Sequence, residues 1–320
     1  MRAFAALSVC AFHFICTING FVQNEYFLKF FSAGKYGVHT FFVISGFVLP
    51  WSMYNSGYSI KNFGTFMLKR LIRLEPPYII SVVVAVILLY VRHVFYKGGI
   101  AGEFEFNFRQ LLCHFGYLVP FVKDVDWLNI VYWTLAVEFQ YYLFIALFFF
   151  MLVNSNPWLK RFLHVVLLFS VLIGDVNFLP HWLPVFGIGI LLFQLKSMMI
   201  GKTDFFILGF IYLCFMAWYY PLIMLLFVLI PVIALLYFEQ LKVVLLNTIG
   251  KFSYSLYLMH TLIGSTFLNV MSHHVYSAPL KFILVLIAIL LSLAVSYFLY
   301  VWVEKPSKNL SSSLKFTKTL

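Results

Sequence analysis

Two ionisable residues lie in the first apolar segment of the chain. Arg2 and His13 occur in the sequence MRAFAALSVCAFHF. Eleven residues at 100° each bring the two side chains within about 20° of one helix face, about 16.5 Å apart along the axis. A cation near one membrane surface and an imidazole deeper on the same face could bind an anion and accept a proton from a hydroxyl. The competing interpretation is that Arg2 anchors the helix at the interface and His13 is a packed core histidine.

A carboxylate, Glu138, lies well inside another apolar segment, WTLAVEFQYYLF. A carboxylate in lipid must be protonated, paired or hydrated, so Glu138 is a second candidate for the site. If its helix runs opposite to the first, Glu138 lies about 12 Å below the outer surface, at a depth similar to that of His13. A base and a carboxylate at one depth favour proton abstraction from a hydroxyl. His13 and Glu138 could thus act as a base and its partner, and the core-histidine interpretation of His13 has equal weight.

Basic residues cluster in the segment FMLKRLIRLEPPYI. Arg70 and Arg73 are i, i+3 neighbours on one helix face, with Lys69 beside them, just before two prolines that should start the third spanning helix. Guanidinium groups bind phosphate through paired hydrogen bonds, so the cluster suits a polyanion such as a nucleotide or coenzyme. The alternative is that these charges only orient the loop in the membrane. The residues alone favour neither interpretation over the other.

Three further polar residues are candidates for supporting roles. His260 lies about eight residues into its helix, Glu304 closes the last helix, and Ser45 stands among the glycines of GKYGVHTFFVISGFVLPW. The alternatives are a core histidine, an interface carboxylate and a residue that only permits close helix packing. The four cysteines lack the spacing of a metal or disulfide framework, so we expect no metal.

The composition requires that membrane helices position these residues. Of the 320 residues, 63% are hydrophobic and 10% are charged, and the mean hydropathy is +0.96. Since no water-soluble surface can be built from this composition, most of the chain should lie in lipid. The net charge of +11 is better explained by basic cytoplasmic loops than by a nucleic-acid partner. We predict an all-α polytopic membrane protein that does not bind nucleic acid.

Ten segments are apolar enough to span a membrane, and two of them are so short that nine or eleven spans also fit. The segments are residues 2–18, 36–54, 77–91, 131–153, 162–174, 182–195, 204–218, 221–238, 252–271 and 279–303. If both termini are cytoplasmic, almost all of the excess positive charge falls on the inner segments. Residues 1–306 then form a single transmembrane domain, and 307–320 a polar, flexible cytoplasmic tail. The loop at about 92–130 is external, and its apolar stretch from Leu111 to Phe121 should be interfacial or re-entrant.

Taken together, these features resemble the integral-membrane acyltransferase 3 family, which includes O-antigen and exopolysaccharide O-acetyltransferases. The resemblance extends almost from end to end. It is carried by R-x10-H at Arg2 and His13, GVHTFFVISGF at 37–47, R-x-x-R at Arg70 and Arg73 followed by Pro76, WTLAVE at 133–138, SYSLYLMH at 253–260 and E-K-P at 304–306. Any one block is a weak indication, but six in this order are specific.

The resemblance implies about ten helices in a bacterial inner membrane and a donor, acetyl-CoA or another acyl-CoA, that approaches from the cytoplasm. It implies delivery of the acyl group to a hydroxyl of an outer acceptor, often a glycan such as lipopolysaccharide or exopolysaccharide, with envelope polysaccharide assembly proteins as candidate partners. It also implies that Arg2 and His13 are essential and that the R-x-x-R pair helps to bind the donor. Residues and resemblance together predict His13 as the general base on the acceptor hydroxyl and Glu138 as its partner or as a structural carboxylate. They predict that Arg2, Arg70 and Arg73 bind the phosphates of the donor. Members usually have several residues, one of them acidic, before the arginine, so the start is expected to be truncated or misassigned.

Two other functions fit the same residues. Intramembrane histidine and glutamate also form proton relays in secondary transporters, which here would move acyl-modified or glycan precursors. The sequence shows no inverted repeat, and the basic cluster lies outside the predicted spans, so we rank the transporter second. A non-catalytic membrane partner in a polysaccharide assembly complex is the third interpretation, and it predicts no turnover of a donor.

Overall fold

The structure, a computed structural model, describes residues 1–95, 107–238 and 243–316, and most of these residues are helical. The helices are α1 Arg2–Cys16, α2 Glu25–Ser32, α3 Gly37–Asn55, α4 Phe63–Phe95, α5 Phe108–Phe115, α6 Trp133–Val153, α7 Pro157–Phe169, α8 Leu179–Lys196, α9 Lys202–Tyr219, α10 Leu222–Tyr237, α11 Val244–Lys251, α12 Ser253–His260, α13 Thr266–Ser272, α14 Ala278–Leu299 and α15 Lys305–Ser313. π-helical segments join α12 to α13 (Thr261–Ser265) and α14 to α15 (Tyr300–Glu304).

The predicted spans correspond to these helices, and each of the ten segments overlaps at least one of them. Within the described part of the chain, five helical stretches are long and apolar enough to cross a membrane: Ile60–Phe95, Ile130–Val153, Leu179–Lys196, Lys202–Tyr219 and Ala278–Ser313. The apolar helices α1 and α10 are shorter. The prediction of an all-α membrane protein is therefore confirmed, whereas the number of ten spans and the cytoplasmic termini remain predictions.

The predicted start of the third span is wrong. Helix α4 begins at Phe63, not at the prolines, and runs through Pro76 and Pro77. Proline removes a backbone donor, and membrane helices tolerate it where neighbouring side chains hydrogen-bond the nearby carbonyls. Here the Tyr254 hydroxyl donates to the Leu74 carbonyl oxygen at 3.0 Å. The two arginines of the basic cluster therefore lie inside a long helix and not in a loop before it.

The polar segment after residue 306 is not a flexible tail over its described part. It continues as α15, and the Ser311 hydroxyl donates to the Lys69 carbonyl oxygen at 2.7 Å. The Lys69 ammonium in turn donates to the Leu314 carbonyl oxygen at 2.7 Å. These reciprocal bonds hold the segment against α4, and residues 317–320 lie outside the described residues.

The predicted outer loop, at about 92–130, contains the short helix α5. Residues 96–106 of this loop lie outside the described residues. His114, at the end of α5, is fully buried, and its Nδ1 donates to the Gln110 carbonyl oxygen at 2.8 Å. Its Nε2 accepts from the Leu128 backbone N–H at 3.0 Å. One imidazole thus ties α5 to the segment that leads into α6.

Helices α3 and α8 cross at backbone contact. A Cβ added at Gly46 would overlap the Phe186 carbonyl, and one added at Gly189 would overlap the Val43 carbonyl. Glycine at both positions lets the two backbones meet, as small residues do between membrane helices. Gly46 directly follows Ser45, so the close helix packing given above as the alternative role of Ser45 occurs next to it.

We expect Gly46→Ala to lower thermal stability, because its methyl group must push α8 away from α3. Overpacking of this kind typically costs about 1–3 kcal/mol. Thermal unfolding of the purified protein in detergent measures the loss. Gly64→Ala is the matched control, since no atom lies within 4 Å of the added Cβ. Equal unfolding temperatures for the two variants would contradict the close crossing.

Candidate active site

The polar residues singled out in the sequence form two groups in the structure. One group lies around the start of α1 and the first third of α4. It consists of Arg2, Ser45, Arg70, Arg73, Glu138 and Glu304. The other consists of the facing imidazoles of His13 and His260. His13 and Glu138, which could act as a base and its partner, therefore belong to different groups.

Glu304 is a buried carboxylate and not an interface residue, with 6% of its surface exposed. Its Oε2 accepts hydrogen bonds from the Ser255 backbone N–H at 3.1 Å and from the Ser255 hydroxyl at 2.6 Å. The nearby cations are Arg2 and Arg73. Glu304 ends the π-helical turn between α14 and α15, and such turns are frequent at functional sites. It therefore provides negative charge inside the basic cluster.

Glu138 belongs to the same cluster. Its Oε1 accepts a hydrogen bond from the Ser45 hydroxyl at 3.1 Å, across the contact of α3 with α6. Arg2 and Arg70 lie within electrostatic range of the carboxylate. The structure thus brings Glu138 to a serine and two guanidinium groups, which balance its charge within the helix bundle.

Two of the arginines have N–H groups that form no hydrogen bond. The Nε atoms of Arg2 and Arg70 are buried and have no hydrogen-bond partner. The Arg70 guanidinium lies 5.0 Å from the Phe66 ring centroid and 5.8 Å from that of Tyr142. Cation–π contact orients the group without using its N–H donors. Because buried donors normally find acceptors, these groups are suited to receive an anionic ligand.

A pocket of about 410 Å³ opens beside this cluster. Its charged lining residues are Arg2, Arg73, Lys251, Lys308 and Glu304. Four cations against one carboxylate give the wall a positive potential. Phosphate groups are the ligands that such a wall favours. We call this space the basic pocket.

A narrow cavity of about 40 Å³ lies beside the basic pocket. The two spaces share Arg2 and Ser253 in their walls. Ser45, Glu138 and Tyr257 also line the narrow cavity. The polar cluster therefore lies around a narrow cavity between the basic pocket and Tyr257, which we call the passage.

Tyr257, in the wall of the passage, lies near a pair of histidines. The Tyr257 ring lies 5.8 Å from the His260 ring, which lies 5.2 Å from the His13 ring between α1 and α12. His260 Nδ1 lies 2.8 Å from the Tyr257 carbonyl oxygen. Since a carbonyl only accepts, we assign the proton to Nδ1 and a lone pair to Nε2. That Nε2 is buried without a partner, so it can accept a proton from a neighbouring group.

Sequence reasoning missed several residues of this site. Lys251 and Lys308 line the basic pocket, Tyr257 ends the passage and Ser255 holds Glu304. The motif SYSLYLMH contains two of them, but it directed attention to its histidine. The contact between His13 and His260 has no local signal, since the residues lie near opposite ends of the chain.

Comparison with known proteins identifies the family. The model of a family described as an acyltransferase domain matches residues 1–301. Searches of curated proteins and of solved structures gave no match. The family match covers nearly all of the chain, including His13, His260 and the arginines of the basic cluster, and it ends before Glu304. The chain belongs to the acyltransferase 3 family and is a membrane acyltransferase.

Proposed function

We propose that the protein takes an acyl group from acyl-CoA, most simply acetyl-CoA, and transfers it to a hydroxyl of an extracytoplasmic or membrane-linked glycan. The observation that carries the proposal is the succession of basic pocket, narrow cavity and histidine pair. Coenzyme A is a phosphate-rich head on a long, flexible arm. Its head suits a basic wall and its arm suits a narrow passage. In this proposal the enzyme crosses the bacterial inner membrane several times, with the basic pocket facing the cytoplasm.

The cations of the basic pocket are the proposed ligands of the donor phosphates. Arg2 and Arg73 line it directly, and Lys251 and Lys308 complete its wall. Arg70 lies deeper, against Phe66 and Tyr142, where its charge adds to the same field. The carboxylates of Glu138 and Glu304 offset part of the positive charge around the basic pocket when no donor is bound. This supports a structural role for Glu138 over a role as the partner of His13.

His13 is the proposed general base. The acceptor oxygen attacks the thioester carbonyl carbon, His13 takes the hydroxyl proton, and the carbon–sulfur bond breaks to release coenzyme A, whose thiolate is then protonated. The unpartnered Nε2 of His260 can accept the N–H of His13 and so leave the other His13 nitrogen free as the base. Direct transfer needs no metal.

Turnover distinguishes this proposal from its alternatives. Purified protein in detergent is incubated with radiolabelled acetyl-CoA and a panel of glycans. We expect labelled glycan and an equal amount of free coenzyme A. Transport of a labelled precursor in proteoliposomes without release of coenzyme A would instead support the secondary transporter. The absence of both activities would support a non-catalytic partner in polysaccharide assembly.

The proposed orientation makes a prediction about a described part of the outer loop. Lys123, exposed between α5 and α6, should lie outside. A single cysteine introduced as Lys123→Cys in a cysteine-free variant should react with a membrane-impermeant maleimide. The reagent is added to cells whose outer envelope is permeabilised and whose inner membrane is intact. A cysteine at exposed Lys202 is the matched control for the inner face. The reverse labelling pattern would show the opposite topology, in which the basic pocket faces away from the cytoplasm.

We expect Arg73→Ala to weaken acyl-CoA binding strongly and Arg73→Lys to weaken it less. Lysine keeps the charge but loses the planar, two-point contact with phosphate. Losing a charge-assisted hydrogen bond typically costs about 1.5–3 kcal/mol, or roughly ten- to a hundredfold in affinity. Equilibrium binding of labelled acetyl-CoA measures the effect, and Arg92→Ala, in the last turn of α4, is the control. Equal affinity in all variants would reduce the cluster to a topology signal.

A further inference from the structure

A second large pocket, of about 550 Å³, lies at the other end of the helices. It is formed where α3, α6, α8 and α10 begin and α9 ends. In the proposed topology this end is extracytoplasmic. Its walls are rich in aromatic rings, which are Tyr36, Trp127, Trp133, Trp182, Tyr219 and Tyr220. We call this space the aromatic pocket.

The aromatic pocket also contains a buried polar group without a partner. His39 is 6% exposed and lines the pocket, and its Nδ1 lies 3.2 Å from the Tyr36 carbonyl oxygen. Because the carbonyl must accept, the proton is assigned to Nδ1 and the lone pair to Nε2. His39 Nε2 has no hydrogen-bond partner. A buried acceptor of this kind is suited to receive a donor, such as a hydroxyl, from a ligand.

Other polar groups lie in the same wall. His181, Asn177 and Lys35 line the pocket. The His181 Nδ1 lies 3.3 Å from the Gly174 carbonyl oxygen, so its Nε2 is likewise assigned the lone pair. The Lys35 ammonium lies 5.2 Å from the Tyr36 ring centroid. The pocket therefore combines flat apolar surfaces with both donors and acceptors.

We infer that the aromatic pocket binds a sugar ring of the acceptor glycan. A pyranose ring has C–H faces that pack on aromatic rings and hydroxyls around its edge that both donate and accept hydrogen bonds. An acyl chain of a lipid would match the rings but would leave the His39 nitrogen unpaired. This inference rests on the proposed function, because it assigns the acceptor of that reaction to a defined place.

The aromatic pocket adjoins the donor passage. Val38, beside His39 in α3, lines both the aromatic pocket and the narrow cavity. A sugar held on the aromatic side can therefore present a hydroxyl toward the end of the passage. The two substrates approach from opposite ends of the helices, and α3 separates their binding spaces by about one side chain.

Direct binding tests the inference separately from catalysis. Purified protein in lipid nanodiscs is applied to a glycan array, and the glycans that bind are titrated by tryptophan fluorescence. His39→Phe removes the acceptor nitrogen and keeps an aromatic ring, and Trp133→Leu removes a stacking surface. We expect each to weaken glycan affinity about tenfold, the change that corresponds to about 1.4 kcal/mol. Trp218→Leu is the control, since Trp218 is 74% exposed and lies at the same end outside the pocket lining.

Kinetics distinguish failure of the inference from failure of the proposed function. In transfer assays the two pocket variants should raise KM for the glycan and leave KM for acyl-CoA unchanged. Normal transfer with an unchanged glycan KM in both variants would overturn the aromatic pocket while the acyltransferase stands. Glycan binding that both variants weaken, without any transfer by the wild-type protein, would support the pocket and refute the proposed reaction. No binding to any glycan on the array would overturn the inference.

Discussion

His13→Ala should lower transfer to the acceptor by about 10²- to 10⁴-fold, the range that a positioned general base contributes. Removing the imidazole leaves no group at that position to accept the hydroxyl proton. The arginines of the basic pocket are untouched, so affinity for acyl-CoA should stay at the wild-type value. Initial rates with saturating acetyl-CoA measure the first effect, and equilibrium binding of labelled donor measures the second.

Two further histidine variants make this result interpretable. His274→Ala changes an exposed histidine after α13 and should retain full activity. His260→Ala should reduce kcat, because it removes the nitrogen that faces His13, and its donor affinity should remain normal. Near-normal transfer by folded His13→Ala would refute the assignment. His260 would then be the candidate base.

Glu304→Gln should produce the largest change in stability. Its carboxylate is buried beside Arg2 and Arg73, and removing one partner from a buried charge group typically costs about 3–5 kcal/mol. Glutamine keeps the shape and one acceptor for Ser255, so the effect reports mainly the loss of charge. Thermal unfolding in detergent, without donor, measures the change.

Addition of coenzyme A extends this experiment. Its phosphates supply the negative charge that the variant lacks, so coenzyme A should raise the unfolding temperature more in Glu304→Gln than in the wild-type protein. Glu25→Gln, at the exposed start of α2, is the control and should behave as wild type in both conditions. Equal unfolding temperatures of Glu304→Gln and wild type without donor would refute the proposed charge balance.

The positions of the helices could be predicted because lipid makes a simple demand on the sequence. A spanning helix needs a long apolar run, and each predicted run overlaps a helix. The start of α4 could not be predicted in this way, because a membrane helix can continue through prolines when a side chain such as Tyr254 bonds a neighbouring carbonyl. Local proline rules, drawn from soluble helices, therefore gave a boundary that is too late.

The site was predictable in its charges and not in its contacts. Arg2, Glu138 and Glu304 were recognisable because ionisable groups are costly in lipid. Their partners depend on how distant helices pack, as does the meeting of His13 with His260. The aromatic pocket was hidden for another reason. Tyrosine and tryptophan near helix ends are expected at any membrane interface, so their gathering around His39 left no distinct pattern in the sequence.

The narrowness of the central cavity has an electrical consequence. If a water-filled channel joined the pockets at the two ends of the helices, ions would leak across the membrane. The membrane potential drives each elementary charge by about 2.3 kcal/mol per 100 mV. Here the cavity between the two pockets holds only about 40 Å³ and carries the fixed positive charge of Arg2 in its wall. Such a constriction admits few waters, and its charge repels protons and metal cations. In the proposed reaction the acyl group crosses this constriction, and the charge of Arg2 in its wall opposes the leak of protons and metal cations.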